Sequence, residues 1–255
     1  MPSKPNLFVI GERKCGTTYL CRTLDKHPEI FFPKKLETNF FNGRGQKDIN
    51  VLINDHYRDA NPGLEYWGEG STPSFQGTHA IDHIINLCGE DIQVFFALRH
   101  PIDRLVSHFY HDVKRNARRN VQTLDDGRYI ERSTYAKHAR RWIDRLGRER
   151  VHPLKYENLV HDANAYILDV TTHLELDPLP NFSQERQNTG YSIVRTGDSL
   201  HRINGTGPSL SFSQLSEIHK SMMPDIRETE KITGLDLSDW NEMPVWPSVE
   251  TIESN

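Results

Sequence analysis

The sequence predicts an α/β protein in which helices flank both faces of a central parallel sheet. Two apolar runs, LFVI at 7–10 and IQVFFAL at 92–98, carry no charge and are typical of strands buried on both faces. Each run is followed by a segment of helical periodicity, one from Thr17 to about Lys26 and one from Pro101 onward. Strands that alternate with helices form parallel sheets, whose ligands bind beyond the carboxyl ends of the strands.

The other predicted elements continue this alternation. The remaining strands are expected at IFFPKK (30–35), EYWGEGS (65–71) and VHPLKYENL (151–159), the last near a sheet edge because of its internal proline. Helices are expected at 79–89, ending at Gly89, and at 101–120, 133–147, 161–174 and 213–233. The polar stretch at 188–209 is predicted to be loop. Residues 1–243 are predicted to form one domain and residues 244–255 a loose tail.

The composition is that of a globular protein without an overall affinity for nucleic acid. The 255 residues have a net charge of −4, with 36% apolar and 26% charged residues, so any anion site has to be local. Every apolar run is too short to cross a bilayer, and the first residues lack the layout of a signal peptide, which favours a cytoplasmic protein. Three cysteines without CxxC spacing argue against a disulfide framework and a structural zinc site.

The segment GERKCGTT (11–18), between the first strand and the first helix, almost matches a phosphate-binding P-loop. Gly11, Gly16 and Thr18 stand at the positions of that pattern, but Thr17 replaces its lysine and Lys14 lies three places earlier. Loop N–H groups and the start of a helix suit an anion, whereas the displaced lysine argues against ordinary ATP hydrolysis. A tight turn without a ligand is the alternative for this segment taken alone.

The segment LRHPIDRLVSHF (98–109) is a second candidate anion site. Arg99 closes a buried strand, where a charge is costly unless it meets an anion, and Ser107 lies about two turns along the next helix. The alternative pairs Arg99 with Asp103 at the helix start, and Arg104 is the other candidate partner of Asp103. The end of this helix is either a solvated basic end or a patch for an acidic substrate, formed by Lys114, Arg115, Arg118 and Arg119.

Taken together, the two segments resemble those of sulfotransferases that use 3′-phosphoadenosine 5′-phosphosulfate (PAPS). The similarity continues through HPEIFFPKKLETNFF, WGEGSTPSF, YAKHARRWIDRLGRERVHPLKYENLV and MMPDIRETEKITGLDLSDW, which resemble blocks of bacterial and carbohydrate sulfotransferases, including heparan-sulfate enzymes. This ordered set of blocks covers nearly the whole chain. The resemblance implies a P-loop-like fold and transfer of a sulfuryl group from PAPS to a hydroxyl or amine of an acceptor.

The resemblance also implies which residues bind PAPS. The first loop would hold the 5′-phosphosulfate through Arg13, Lys14, Cys15, Gly16, Thr17 and Thr18. The second segment would hold the 3′-phosphate through Arg99 and Ser107. Arg195 would fold over that phosphate, in a stretch without the usual Lys-Gly-Arg of the family, and a plain surface loop is the alternative there. Lys14 is expected to neutralise the charge that builds on the departing phosphate oxygen.

Two carboxylates are candidates for the base that deprotonates the acceptor. Glu37 in LETNFF matches the glutamate that heparan-type enzymes place before a Phe-Phe pair, and Glu69 in GEGSTP is the second candidate. The histidine pairs His79/His83 and His108/His111 lack a third ligand, and PAPS chemistry does not require a divalent cation, so no metal is expected.

Two other functions stay open from the sequence: a P-loop kinase, and a nucleotide-binding module without activity. LETNFF and the basic run at 114–119 favour a glycan or glycolipid acceptor, with small alcohols, phenols and peptide tyrosine as alternatives. A luminal fragment of a membrane-anchored Golgi enzyme is the alternative to a cytoplasmic protein. The sequence carries no signal for an oligomeric state.

Overall fold

A computed structural model of the protein describes residues 3–45, 47–115, 124, 127–179, 193–202 and 208–248. The described residues of 1–98 and 138–187 form one compact unit, and those of 99–137 and 188–255 form a second. The single domain expected over 1–243, with a tail at 244–255, stays a prediction.

The first unit is built on five parallel strands in the order β2-β3-β1-β4-β5. The strands are β1 (Leu7–Gly11), β2 (Ile30–Phe31), β3 (Tyr66–Glu69), β4 (Gln93–Leu98) and β5 (Val151–Lys155). The chain leaves β1 towards one side for β2 and β3, and then continues on the other side with β4 and β5. The order therefore reverses beside β1, and ligands of open parallel sheets bind at the carboxyl ends of strands at such a point.

Nine α-helices lie in the described residues. They are α1 (Thr17–Leu24), α2 (Ile49–His56), α3 (Ala80–Cys88), α4 (Pro101–Arg115), α5 (Arg128–Glu131), α6 (Ala136–Leu146), α7 (Tyr156–His161), α8 (Ala163–His173) and α9 (Phe212–Thr233). The helix predicted at 101–120 is confirmed as far as Arg115, and residues 116–120 lie outside the described part. Gly89 ends α3 as predicted, with a φ of 91°.

Both faces of the five-stranded sheet are covered, which confirms the predicted fold class. On one face, Leu7 of β1 and Phe95 of β4 belong to a buried apolar cluster with side chains of α1 and α8. On the opposite face, Phe8 packs edge to face against Phe41, with 5.6 Å between the ring centroids. Burial on both sides explains why β1 and β4 are continuous apolar runs rather than alternating ones.

One expectation about the first unit was wrong, and one helix was not predicted. The strand predicted at 151–159 ends at Lys155, because Tyr156 begins α7. Residues 49–56, which had no predicted element, form α2, and the side chain of Asp48 caps this helix by accepting a 2.9 Å hydrogen bond from the Asn50 N–H. The prediction of an edge position for the strand with Pro153 is confirmed by the place of β5 in the sheet.

The second unit contains α4, α5, α9 and a three-stranded antiparallel sheet of β6 (Ile193–Thr196), β7 (Ser199–Arg202) and β8 (Leu210–Ser211). This sheet corrects the loop expected at 188–209, of which 188–192 and 203–207 lie outside the described residues. Thr196 pairs with Ser199, so Gly197 and Asp198 form a two-residue hairpin turn, and Gly197 has a φ of 57°.

Candidate active site

The P-loop-like segment leads from β1 to α1, as predicted, and two glycines permit its path. A β-carbon on Gly11 would lie 2.7 Å from Cβ of Phe75, and one on Gly16 would lie 2.8 Å from Cδ2 of Leu159 in α7. Gly16 also has a φ of 80°, which side chains with a β-carbon rarely adopt. The loop is therefore shaped by contacts on both of its sides.

The start of α1 provides the donors that an anion needs. The first N–H groups of a helix have no partner within the helix, and Gly16, the residue before α1, has no side chain with which to cap it. The first turn carries no acidic residue. Thr17 is buried and Thr18 is exposed, so the two hydroxyls differ in their access to a ligand. The positive end of this eight-residue helix can interact favourably with a phosphate group.

Lys14 lies at the bend of the loop. It has a φ of 78°, in the left-handed region, and its side chain is partly exposed. Arg13 before it is also partly exposed, and Cys15 after it is buried in the core beside α1. The loop thus presents two cations in sequence and anchors itself through the thiol side chain that follows.

Glu12 is a loop residue that sequence reasoning missed. Its side chain is buried, and its carboxylate accepts a hydrogen bond from the Arg13 N–H at 2.6 Å and from Nε2 of Gln76 at 2.7 Å. Its own N–H donates to the carbonyl of Ala97 in β4 at 2.9 Å. Glu12 therefore connects the loop by hydrogen bonds to β4 and to the segment after β3. The sequence gave no signal of this role, because Glu12 is only a single acidic residue between Gly11 and two cationic residues.

Glu37 lies beside the loop. Its Oε1 accepts a 2.7 Å hydrogen bond from Oγ1 of Thr72, and its Oε2 lies 4.0 Å from Nη2 of Arg13. The side chain is 42% exposed, so a substrate can reach the carboxylate from solvent. An exposed ion pair of this length adds little to the stability of the fold, but it shows that Glu37 and Arg13 are neighbours. It brings the predicted base next to the predicted phosphate-binding loop.

Glu69, the second candidate base, lies in a different environment at the end of β3. It is completely buried and accepts hydrogen bonds from Oγ1 of Thr38 at 2.8 Å, from the Ser71 N–H at 3.0 Å and from the Ser71 hydroxyl. Burial raises the pKa of this carboxyl group, and the hydrogen bonds from Ser71 and Thr38 oppose that rise. Because its oxygens are enclosed, Glu69 is poorly placed to meet an acceptor, and Glu37 is the better candidate.

The second unit holds the residues expected at the 3′-phosphate. Arg99 directly follows β4 in the chain, and its Nη2 lies 3.6 Å from Oδ2 of Asp103, the pairing that the sequence had left as an alternative. Ser107 is partly exposed on α4. Arg104 is fully buried and donates from Nε to Oγ of Ser133 at 2.8 Å. Arg99 is thus the more accessible of the two arginines.

Arg195 lies in β6, in the hairpin that replaces the expected loop. Its Nε donates a 2.9 Å hydrogen bond to the carbonyl of Gly197, and its guanidinium carbon lies 3.4 Å from the ring centroid of Phe212. Stacking on an aromatic ring is a common arginine contact that leaves the edge of the guanidinium available to hydrogen-bond acceptors. The arrangement is compatible with an anion-binding role and does not require one.

The described residues contain neither a cluster of metal ligands nor a helix that could span a membrane. No group of three or more His, Cys, Asp or Glu side chains there could hold a metal ion. Nδ1 of His83 lies 3.0 Å from the carbonyl oxygen of Phe41, so this histidine has a hydrogen-bond partner in the protein.

Among the helices that the structure describes, none is long and apolar enough to cross a membrane. Lys114 and Arg115 are exposed at the end of α4, and Arg118 and Arg119 lie outside the described residues.

Comparison with known proteins identifies the class to which this fold and loop belong. A family model described as "Sulfotransferase domain" matches residues 4–189, and the chain therefore belongs to the sulfotransferase family. It is accordingly a PAPS-dependent sulfotransferase, an enzyme with PAPS as its co-substrate. No curated protein matches the chain in sequence.

Two solved structures show the same fold. A sulfotransferase from Alicyclobacillus acidocaldarius is 21% identical, with a TM-score of 0.74 over 94% of this chain and 100% of that one. A sulfotransferase domain from the curacin biosynthetic pathway is 15% identical, with a TM-score of 0.57 over 96% of this chain and 100% of that one.

Proposed function

We propose that this sulfotransferase moves the sulfuryl group of PAPS to a hydroxyl or amine of a carbohydrate or glycolipid, with Lys14 and Glu37 as its catalytic residues. The observation that carries the proposal is the position of Glu37, half-exposed and 4.0 Å from Arg13 of the phosphate-binding loop. A base has to lie close to the acceptor group that it deprotonates, and a carboxylate next to the phosphate-binding loop meets this requirement.

The loop residues bind the 5′ side of the donor. The N–H groups at the start of α1 and the Thr17 and Thr18 hydroxyls donate hydrogen bonds to the 5′-phosphate, and Arg13 adds a positive charge. Lys14 neutralises the bridging oxygen as its bond to sulfur breaks. A compact, mobile ammonium group at the bend of the loop suits this task, because it can follow the charge as it develops.

Glu37 acts on the acceptor side. As the acceptor oxygen or nitrogen forms a bond to sulfur, its proton passes to the Glu37 carboxylate, and the electron pair of the breaking bond stays on the phosphate oxygen beside Lys14. The 2.7 Å hydrogen bond from Thr72 leaves Oε2 of Glu37 as the oxygen that faces Arg13, and Arg13 keeps this carboxylate near the loop.

The 3′-phosphate is assigned to Arg99 and Ser107, with Arg195 as a further contact. A guanidinium group forms charge-assisted hydrogen bonds to phosphate, and the 3.6 Å pair with Asp103 can hold Arg99 in an orientation for this. The acceptor assignment has its support in the LETNFF segment and in the exposed Lys114 and Arg115. The cytoplasmic location stays a prediction.

Donor binding and transfer are tested together. Adenosine 3′,5′-bisphosphate (PAP) is expected to raise the melting temperature without Mg²⁺, and labelled PAPS is expected to transfer its sulfuryl group to at least one member of a panel of sugars, glycolipids, phenols and simple alcohols. Stabilisation by Mg-ATP alone would indicate a kinase-like site. PAP binding without transfer to any member of the panel would favour a binding module.

A further inference from the structure

We propose that Glu69 is a positioning residue that holds Glu37 in its catalytic orientation, an inference that rests on the proposed role of Glu37 as the base. Glu69 is the buried centre of a hydrogen-bond network that reaches Glu37 from two sides. One side is the neighbouring residue Thr38, and the other is the pair Ser71 and Thr72.

The direction of the hydrogen bonds follows from their partners. Oγ1 of Thr38 accepts from the Phe40 N–H at 3.2 Å, and Oγ of Ser71 accepts from the Asn39 N–H at 2.8 Å. A backbone N–H can only donate, so each hydroxyl is an acceptor in that contact and directs its own hydrogen at Glu69. With the Ser71 N–H, the Glu69 carboxylate thus receives three donors.

The first connection runs along the chain. Thr38 is covalently joined to Glu37, and its 2.8 Å hydrogen bond to Oε1 of Glu69 fixes that part of the backbone against the end of β3. The Asn39 N–H donates to Ser71, which adds a second link between the two segments. The backbone at Glu37 is therefore held next to a residue of the sheet, although no regular strand or helix includes it.

The second connection reaches the Glu37 side chain itself. Glu69 accepts from both the N–H and the hydroxyl of Ser71, the residue before Thr72. Thr72 then donates its hydroxyl to Oε1 of Glu37 at 2.7 Å. A carboxylate at position 69 therefore positions both the backbone and the donor that orient the proposed base.

The chemistry explains why a carboxylate suits this position better than an amide. Burying a charge is costly unless it is hydrogen-bonded, and here three donors converge on one group. A glutamine has one carbonyl oxygen and a donating NH₂ group, so it cannot accept from all three. Glu69→Gln keeps the size of the side chain and loosens at least one connection to Glu37.

A double-mutant cycle on the full chain tests the proposal. The variants are Glu69→Gln, Glu37→Gln and the double variant, with Glu65→Gln as the matched control, because Glu65 is an exposed glutamate directly before β3. The assay uses labelled PAPS and the best acceptor of the panel. PAP affinity and circular dichroism are measured for each variant.

Glu69→Gln is expected to lower kcat by about tenfold, the effect of a weakened orienting hydrogen bond, with the KM for PAPS unchanged. Glu37→Gln is expected to lower kcat on the order of 10² or more. In the Glu37→Gln background, Glu69→Gln should have no further effect, because a positioning residue acts only through the residue that it positions. Glu65→Gln should match the wild type.

Each other outcome has one meaning. Unchanged kcat in Glu69→Gln, or the same loss in both backgrounds, overturns the positioning role of Glu69. Unchanged kcat in Glu37→Gln instead overturns the proposed base. If Glu69→Gln does not fold, Thr38→Val and Ser71→Ala each remove one donor and leave the carboxylate in place. Wild-type kcat in both of these would also overturn the proposal.

Discussion

Gly16 at the start of α1 and Leu159 in α7 approach so closely that a β-carbon on Gly16 would lie 2.8 Å from Cδ2 of Leu159. The same β-carbon would lie 3.1 Å from two ring carbons of Tyr156. Packing of α7 and the left-handed backbone of Gly16 therefore determine together where α1 begins, and with it the position of the anion site.

Gly16→Ala is expected to destabilise the protein by about 2–5 kcal/mol, from about 1–2 kcal/mol of backbone strain and about 1–3 kcal/mol of overpacking. Gly127→Ala is the matched control, because Gly127 has a φ of 65° and no atom of the described residues lies within 4 Å of its β-carbon position. Gly127→Ala should lower the free energy of unfolding only by the backbone strain, about 1–2 kcal/mol. Urea unfolding measures both, and equal losses would show that the α7 contact does not matter.

Lys14→Met is expected to lower kcat by about 10²–10³ through loss of the charge opposite the leaving phosphate oxygen. PAP binding should weaken much less, because the N–H groups of the loop remain. Lys26→Met, at an exposed lysine just after α1, is the control and should leave kcat unchanged. A large loss of PAP affinity at unchanged kcat would assign Lys14 to ground-state binding instead.

Arg99→Gln is expected to weaken PAP binding by about 10–100-fold, the value of charge-assisted hydrogen bonds to a phosphate. The affinity for adenosine 5′-monophosphate, which lacks the 3′-phosphate, should not change. Calorimetric titration of both ligands makes the comparison. Asp103→Asn, which breaks the 3.6 Å ion pair from the other side, should leave Arg99 able to bind. An equal loss for both ligands would remove Arg99 from the 3′-phosphate site.

The stability of the protein should fall as the pH is lowered from about 6.5 towards 4, partly through His100. Burial lowers the pKa of His100 to about 4, although its hydrogen bond to the Glu242 carbonyl opposes that shift. Below pH 6.5 the unfolded chain binds a proton that folded His100 does not, so its contribution is complete above about 6.5 and lost at about 4. His100→Gln should flatten this decline in urea unfolding measured from pH 4 to 7. An identical slope would contradict the prediction.

Local patterns account for most of what the sequence predicted correctly. Continuous apolar runs identify β1 and β4, and Gly89 marks the end of α3, because each signal lies within the element that it describes. The β6–β7 hairpin was missed although Gly197-Asp198 is a typical two-residue turn, since the flanking IVRT and SLHR lack a clear alternation. The end of β5 was missed because the following residues KYEN include no glycine that would mark a strand end. The proline of this region, Pro153, lies inside β5 rather than after it.

The candidate site was predictable only where it is continuous in sequence. Residues 11–18 connect β1 to α1 as expected, because the spacing of Gly11 and Gly16 is typical of phosphate-binding loops. The sequence ranked Glu37 above Glu69 only through the resemblance of LETNFF to heparan-type enzymes, since both are single glutamates followed by small or hydroxyl residues. Their difference arises from long-range contacts: Glu69 is enclosed at a strand end, whereas Glu37 stays half-exposed beside Arg13 of the phosphate-binding loop.

The three thiols of the chain provide an intrinsic probe of how the first unit opens. Cys15, Cys21 and Cys88 are all buried and free of disulfides, and burial raises the pKa of Cys21 and that of Cys88, the latter to about 12. Only thiolates react rapidly with aromatic disulfide reagents, so labelling requires opening of the surrounding structure. The labelling rate therefore reports conformational opening without an engineered reporter. Cys15, within the phosphate-binding loop, connects that rate to occupancy of the donor site.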